Sequence, residues 1–294
     1  MTSPRVALPS LLLLPLLLAL LWFDDADASA GRGGKASRDT GGGECPHSSR
    51  AVAGDRRGDA RSLTFATFNT EWTFDGIDDP SPSPRAGNPA DARAHLNAVA
   101  KVIAAIDADV VNLVEVEGCG TLRQLVAAAT AVNPATSGDY RPYLVQGTDV
   151  ALGQQVGMLT RVDPVQDLWR SERRVEYPLP GSACNYTRGT RGGGSGGNDG
   201  DGTTRSTGAS KHYFARLRVG RKNVTVAGVH FKAFPNDPAS CAKREAQAAV
   251  VAAELRACVA AGDEIVLMGD LNDFSDVHQD ASSCTPTSRV MTPL

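Results

Sequence analysis

Four apolar runs in this chain each end on a polar side chain that a packed core would reject. Asn69 follows "LTFATF", Glu115 closes "VVNLVE", His230 follows "NVTVAGV", and Asp270 with Asn272 follows "IVLMG". Singly, each has an ordinary explanation, since Asn and Asp make turns and cap helices and a strand can surface at its end. Together they are carboxylates, amides and an imidazole delivered to strand tips, where one sheet edge can gather them. Hard oxygen donors of this kind suit Mg2+, with Mn2+ as the alternative, and no cysteine pair has zinc-ligand spacing. Such an ion polarises a phosphoryl oxygen, and a histidine beside it can move a proton near neutral pH.

The elements that must position these groups are legible in the pattern. "RSLTFATFN" (61–69), "ADVVNLVEVE" (108–117), "QQVGMLTRV" (154–162), "KHYFARLRV" (211–219), "NVTVAGVHF" (223–231) and "DEIVLMGD" (263–270) read as strands. Between them, 88–107 carries apolar residues at 96, 99, 102, 103 and 106 behind Pro89, which predicts a helix with one buried stripe. Residues 121–132 predict a short helix and 241–261 a long one. The alternation gives an α/β domain over 62–294.

The flanks differ. Residues 1–30 combine Arg5, the apolar run Ala7–Phe23 and small residues at Ala28 and Ala30, the pattern of a signal peptide cleaved after Ala30. The alternative is a single N-terminal membrane anchor, for which a run of this length containing Pro9 and Pro15 is short. Residues 31–61 form a flexible Gly/Ser/Arg-rich leader, and 189–208 a low-complexity surface insertion too glycine-dense to pack a core. Six cysteines and the sequons at Asn185 and Asn223 agree with export; Asn223 stands just before an apolar strand and is expected to be poorly exposed. Disulfide pairing stays open, Cys184 with Cys241 being one arrangement the strand order allows, while a bridge from Cys241 to the helical Cys258 is disfavoured. The formal charge of −3 and an aromatic content of 5% speak against a broad basic nucleic-acid surface or an extended stacking platform.

The motifs "TFNTEW" (67–72), "ADVVNLVEVEG" (108–118), "GQQVGMLTR" (153–161), "SKHYFARL" (210–217), "VHFKAFP" (229–235) with "REAQA" (244–248), and "GDLNDF" (269–274) resemble, in order, those of the endonuclease/exonuclease/phosphatase family. That family includes DNase I-like nucleases, neutral sphingomyelinases and inositol phosphatases. The resemblance spans about 61–294. It implies a four-layer α/β/β/α sandwich of the DNase I-like type, incomplete at its C-terminus, and metal-aided attack of water on a phosphodiester. It also implies roles: Asn69 and Glu115 as metal ligands, His230 on the phosphate or as a proton donor, Asp270 orienting the attacking water, and Asn272 contacting the scissile phosphate. Lys211 becomes a candidate substrate contact.

Three positions depart from the family pattern. Val114 stands where a Gln often precedes the metal-binding Glu, which removes a polar neighbour but not the ligand. Lys211 and His212 occupy a strand start where relatives often carry other phosphate-contacting residues. Family members also continue beyond the GDxN motif to an Asp-His pair; Ser275–His278 has the wrong spacing to replace it. The chain is therefore expected to be a family member cut short, with a non-catalytic remnant as the other reading. The expected activity is that of a secreted phosphodiester hydrolase with nucleic acid preferred over phospholipid. A sphingomyelinase-like lipid phosphodiesterase and an inactive binding domain are the alternatives, and no stable membrane span is expected.

Overall fold

Asn88 begins the first helix by accepting the Asp91 N–H on its side chain at 3.2 Å, with Pro89 in the first turn where its missing N–H costs nothing. The computed structural model describes Cys45 and residues 54–135, 137–148, 152–186, 205–274 and 286–291. The expected signal peptide, most of the expected leader, nearly all of the 189–208 insertion, Cys284 and the 275–280 stretch lie outside these residues.

The strands are β1 (Phe65–Thr73), β2 (Val110–Val116), β3 (Arg141–Tyr143), β4 (Gln155–Thr160), β5 (Val175–Glu176), β6 (Ser206–Thr207), β7 (Lys211–Val219), β8 (Lys222–His230) and β9 (Glu264–Asp270). The helices are α1 (Pro89–Ile106), α2 (Cys119–Val132) and α3 (Pro238–Ala260). One mixed sheet runs β1–β2–β4–β3, with β1 and β2 parallel and the other pairings antiparallel. A second runs β7–β8–β9, an antiparallel hairpin followed by a parallel pairing, with β9 at its edge. The β5–β6 pair makes a small third sheet.

Period-two alternation decides which face each strand residue buries. Val111, Leu113 and Leu159 pack under Leu96, Val99 and Ile103 of α1 and Leu122 and Leu125 of α2. On the opposite face, Val110, Val114 and Met158 meet Tyr213, Ala215, Leu217 and Val226 of the second sheet. Phe214, Ala227 and Val229 point the other way, against Val250, Val251 and Leu255 of α3. Full burial of such aliphatic side chains stabilises by roughly 1.5–3 kcal/mol apiece before entropy is counted.

Several expectations shift in detail. α3 starts three residues earlier than its apolar pattern because Asp237 caps it, accepting the Ser240 N–H at 2.7 Å, with Pro238 in the first turn. Residues 206–207, assigned to the insertion by composition, are strand, because Glu176 and Val175 give their backbone partners. Residues 54–57, assigned to the leader, are docked: Arg56 reaches Asp163 at 2.6 Å and its backbone N–H donates to Arg161 O at 2.9 Å. Disulfides join Cys45 to Cys119 and Cys184 to Cys241, while Cys258 is a buried thiol. Asn185 is exposed and Asn223 half-buried, its side chain accepting from Arg218 at 2.8 Å. Among the described residues, no helix is long and apolar enough to cross a membrane.

Candidate active site

At the tip of the first sheet, β1 and β2 both break register at the same level. Val114 and Val116 oppose Val156 and Gln155 on β4, so Glu115 is an extra residue, a β-bulge. Its effect on parity is visible: Val114 faces the second sheet and Val116 faces the helices, although two residues apart they would otherwise share a face. On β1, Asn69 pairs with Val114 and Thr73 with Val116, which leaves Thr70–Trp72 bulged as well. Glu71, Trp72 and Glu115 all take positive φ, at 50°, 56° and 65°. Non-glycine residues there cost of order 1–3 kcal/mol each, and such strain concentrates at functional sites.

The bulges re-aim polar groups toward one point. The Trp72 N–H donates to Glu115 Oε2 at 3.2 Å, and the Glu71 N–H to Asn69 Oδ1 at 2.9 Å. Asn69 Nδ2 donates to Glu115 Oε1 at 2.9 Å and, across the gap between sheets, to Asp270 Oδ2 at 3.1 Å.

The second sheet meets this point with three residues in register. Lys211 pairs with His230, and His230 with Asp270, so the three stand in a row across β7, β8 and β9. Directly paired residues share a face, and the alternation places these on the side that carries Tyr213, Val226 and Met268, toward the first sheet. His230 Nε2 lies 3.9 Å from Glu115 Oε1, and Lys211 Nζ donates to Gln154 Oε1 at 3.1 Å. Gly269 has φ 141°, and a Cβ there would collide with the Val229 carbonyl, so the close approach of β9 to β8 just before Asp270 requires glycine. Asn272, at φ 51°, gives its backbone N–H to Asp270 Oδ1 at 2.8 Å and one side-chain N–H to Phe231 O at 3.0 Å.

Electrostatically the site is short of positive charge. Burial pushes the Glu115 carboxyl above its ordinary range and nearby Asp270 adds to this; the Asn69 bond, the Trp72 N–H and the Lys211 ammonium oppose it without cancelling it. Two carboxylates from different sheets, half-buried and drawn together on one amide, fit a hard dication. Glu115 can supply a ligand oxygen, with the Asp270 carboxylate adding negative charge beside it. Asn69 as placed turns its NH2 toward both carboxylates and its Oδ1 toward the Glu71 N–H, so its own ligation would require the amide to turn over.

All six sequence-derived residues, Asn69, Glu115, Lys211, His230, Asp270 and Asn272, thus belong to one neighbourhood linked by hydrogen bonds, register or close contact. Sequence reasoning missed others. Gln154 is buried and holds Lys211; as one of two glutamines at a strand start it carried no signal. Asp273 has a fully buried carboxylate that accepts the Thr287 and Ser288 N–H groups at 2.8 Å each, which keeps it ionised although burial opposes this. Asp75, Asp79 and Glu117 bring carboxylate oxygens within 4.8 Å of one another. Burial and like charge raise Glu117 to about 7 and Asp79 to about 6. The signal for that cluster was Glu117 standing two residues beyond Glu115.

No protein-family model matches the chain, and no curated protein matches it. Similar solved structures include beta toxin from Staphylococcus aureus, at 13% identity and a TM-score of 0.44, covering 78% of this chain and 70% of that one. They also include a mannosyl-6-phosphatase of Bacteroides thetaiotaomicron, at 13% identity and a TM-score of 0.42, covering 79% and 70%. An endonuclease/exonuclease/phosphatase from Bacteroides vulgatus matches at 17% identity and a TM-score of 0.38, covering 71% and 66%. Likenesses this distant assign neither substrate nor residue roles.

Proposed function

We propose that the chain is a divalent-metal-dependent phosphodiester hydrolase with a preference for nucleic acid. The observation that carries this reading is the meeting of Glu115 from one sheet and Asp270 from the other on the shared Asn69 amide, with His230 and Lys211 in register beside Asp270. A phosphodiester is an anion that repels hydroxide, so its hydrolysis needs positive charge, hydrogen-bond donors and a placed water. Mg2+, when bound, would polarise a phosphoryl oxygen and offset charge at the transition state.

The chain's own groups would divide the remaining work. Glu115, and Asn69 with its amide turned, would hold the ion. Asp270, fixed by the Asn69 amide and the Asn272 N–H, would orient the attacking water. Asn272 has one side-chain N–H committed to Phe231 O, and an amide nitrogen carries two, so the second is its means of reaching a phosphate oxygen. His230, in the row between Lys211 and Asp270, would donate a hydrogen bond or a proton to the phosphate. Lys211, oriented by Gln154, would attract the phosphate. The same reading takes residues 62–294 as one domain of the four-layer α/β/β/α type. It also takes the protein as secreted, which the two disulfides suit because such bonds persist in oxidising compartments.

The test is hydrolysis of plasmid DNA and of sphingomyelin vesicles by the purified full chain, with Mg2+ and with EDTA. Mg2+-dependent nicking is expected, with loss of at least about 100-fold in Glu115→Gln, His230→Ala and Asp270→Asn at unchanged melting cooperativity. Vesicle cleavage without DNA cleavage would transfer the reading to lipid. Turnover of neither substrate, with Mg2+ still bound, would leave a binding domain.

A further inference from the structure

We infer that Phe234, with Lys232, forms a nucleobase-stacking subsite beside the phosphate centre; this rests on the phosphodiesterase reading and narrows its substrate to a base-bearing strand. Among the described residues Phe234 is the most exposed large hydrophobic side chain, at 65%, and the one aromatic in that class. It follows His230 by four residues, so the two Cα atoms are at most about 14 Å apart.

Phe234 is also strained. Its φ is 67°, a conformation that a loop without further duties gives to glycine or asparagine. The segment around it is nevertheless held firmly. The Phe231 N–H donates to Asp270 O at 2.9 Å and its carbonyl accepts from Asn272, so the loop is tied directly to two site residues. The Lys232 N–H donates to Gln247 at 2.8 Å. Arg244, wholly buried in α3, donates to Lys232 O at 3.0 Å and to Pro235 O at 3.3 Å. The Asp237 N–H returns to Phe234 O at 3.2 Å. A buried guanidinium thus serves to hold an exposed phenyl ring in a strained conformation.

The Lys232 ammonium lies 5.0 Å from the Phe234 ring centroid. A flat ring beside a cation matches the two repeating parts of a single strand, a base to stack and a phosphate to neutralise. A lipid surface would call for a broader apolar patch than one ring flanked by an ammonium. The aromatic content of 5% speaks against an extended stacking platform, but a single ring in the loop that follows His230 needs few aromatics.

The test is direct binding, which does not depend on turnover. A fluorescein-labelled single-stranded octanucleotide and an abasic strand of equal length are titrated with the full chain in EDTA, and affinity is read by anisotropy. Wild type is expected to prefer the base-bearing strand. Phe234→Ala should weaken that strand by about 5- to 150-fold and leave the abasic one unchanged, and Phe234→Trp should restore it. Phe234→Gly removes the ring while relieving the strain, so its equal loss of affinity excludes misfolding as the cause. Equal weakening on both strands, no weakening on either, or no base preference in wild type overturns the inference. Loss of affinity for sphingomyelin vesicles alone overturns it in favour of lipid. If base-dependent binding is found but no phosphodiester is cleaved, the hydrolase reading fails and this one stands.

Discussion

Glu115 and Asp270 lie in different sheets, yet both carboxylates accept from the same nitrogen, Asn69 Nδ2, at 2.9 and 3.1 Å. That amide is what holds two like charges together when no cation is between them. Asn69→Asp would replace the shared donor with a third carboxyl. In EDTA the variant is expected to lose on the order of 1 kcal/mol of stability, because a solvent-exposed shared donor is removed and a like charge added. Millimolar Mg2+ should return much of it, since a ligand that binds only the folded state stabilises it. Melting curves with and without Mg2+ check this; an equal Mg2+ response in wild type and variant would show that no cation sits between these groups.

His212, next to Lys211, faces the opposite way and is buried, with its Nε2 accepting the Ser171 N–H at 2.9 Å. Burial, and then the Arg170 guanidinium, lowers its pKa from 6.5 to about 4. Between those values the unfolded chain binds a proton that the folded chain excludes. Its contribution is therefore complete above pH 6.5 and is lost as pH falls toward 4. The expected loss from pH 7 to pH 5 is on the order of 2 kcal/mol. His212→Gln, which keeps an acceptor for Ser171, should flatten that part of the profile in urea titrations at the two pH values.

Gly269→Ala adds a methyl where the Val229 carbonyl already stands, at a φ of 141°. The β8–β9 pairing ends at His230 and Asp270, so any shift there moves both. A loss of at least about 2 kcal/mol is expected. Activity measured well below the new melting temperature should also fall, because Asp270 is displaced along with the backbone. Unchanged activity in a destabilised variant would separate the two effects.

The Cys184–Cys241 disulfide ties the segment after β5 to the first turn of α3 across 57 residues. Replacing both with serine should cost about 4 kcal/mol on the chain-entropy account. Denaturant unfolding of the oxidised protein measures this; a cost near zero would mean that the closed loop keeps its order without the bond.

The strands that bear the site were legible because apolar runs ending on Asn, Glu, His and Asp announce both a buried strand and its tip. Helix α1 was legible for a similar reason, with Asn88-Pro89 at its start and a single apolar stripe. What pattern could not show was the bulge. "VVNLVEV" reads as an unbroken strand, and nothing in the letters marks Glu115 as the extra residue that turns Val116 toward the helices. The short strands at 141–143, 175–176 and 206–207 were missed because two or three residues carry no period. Arg244 was missed for another reason: its charge predicts a solvent-facing position, and only three-dimensional packing reveals the loop carbonyls and Thr287 hydroxyl that its guanidinium serves.

The β7–β8 hairpin closes through the two-residue connection Gly220–Arg221, with Gly220 at φ 59°, as a tight hairpin with glycine first demands. From Val219 back to Lys211 is eight strand steps, about 26 Å. That turn is the zero mark of a ruler on which Lys211 and His230 are opposite graduations. A residue inserted inside β8 would rotate His230 to the α3 side and bring Val229 into the row. A residue inserted at the turn itself can be absorbed there as a longer loop. The chemistry at one end of the sheet is thus aligned by counting from the other, and a glycine far from any substrate keeps the count.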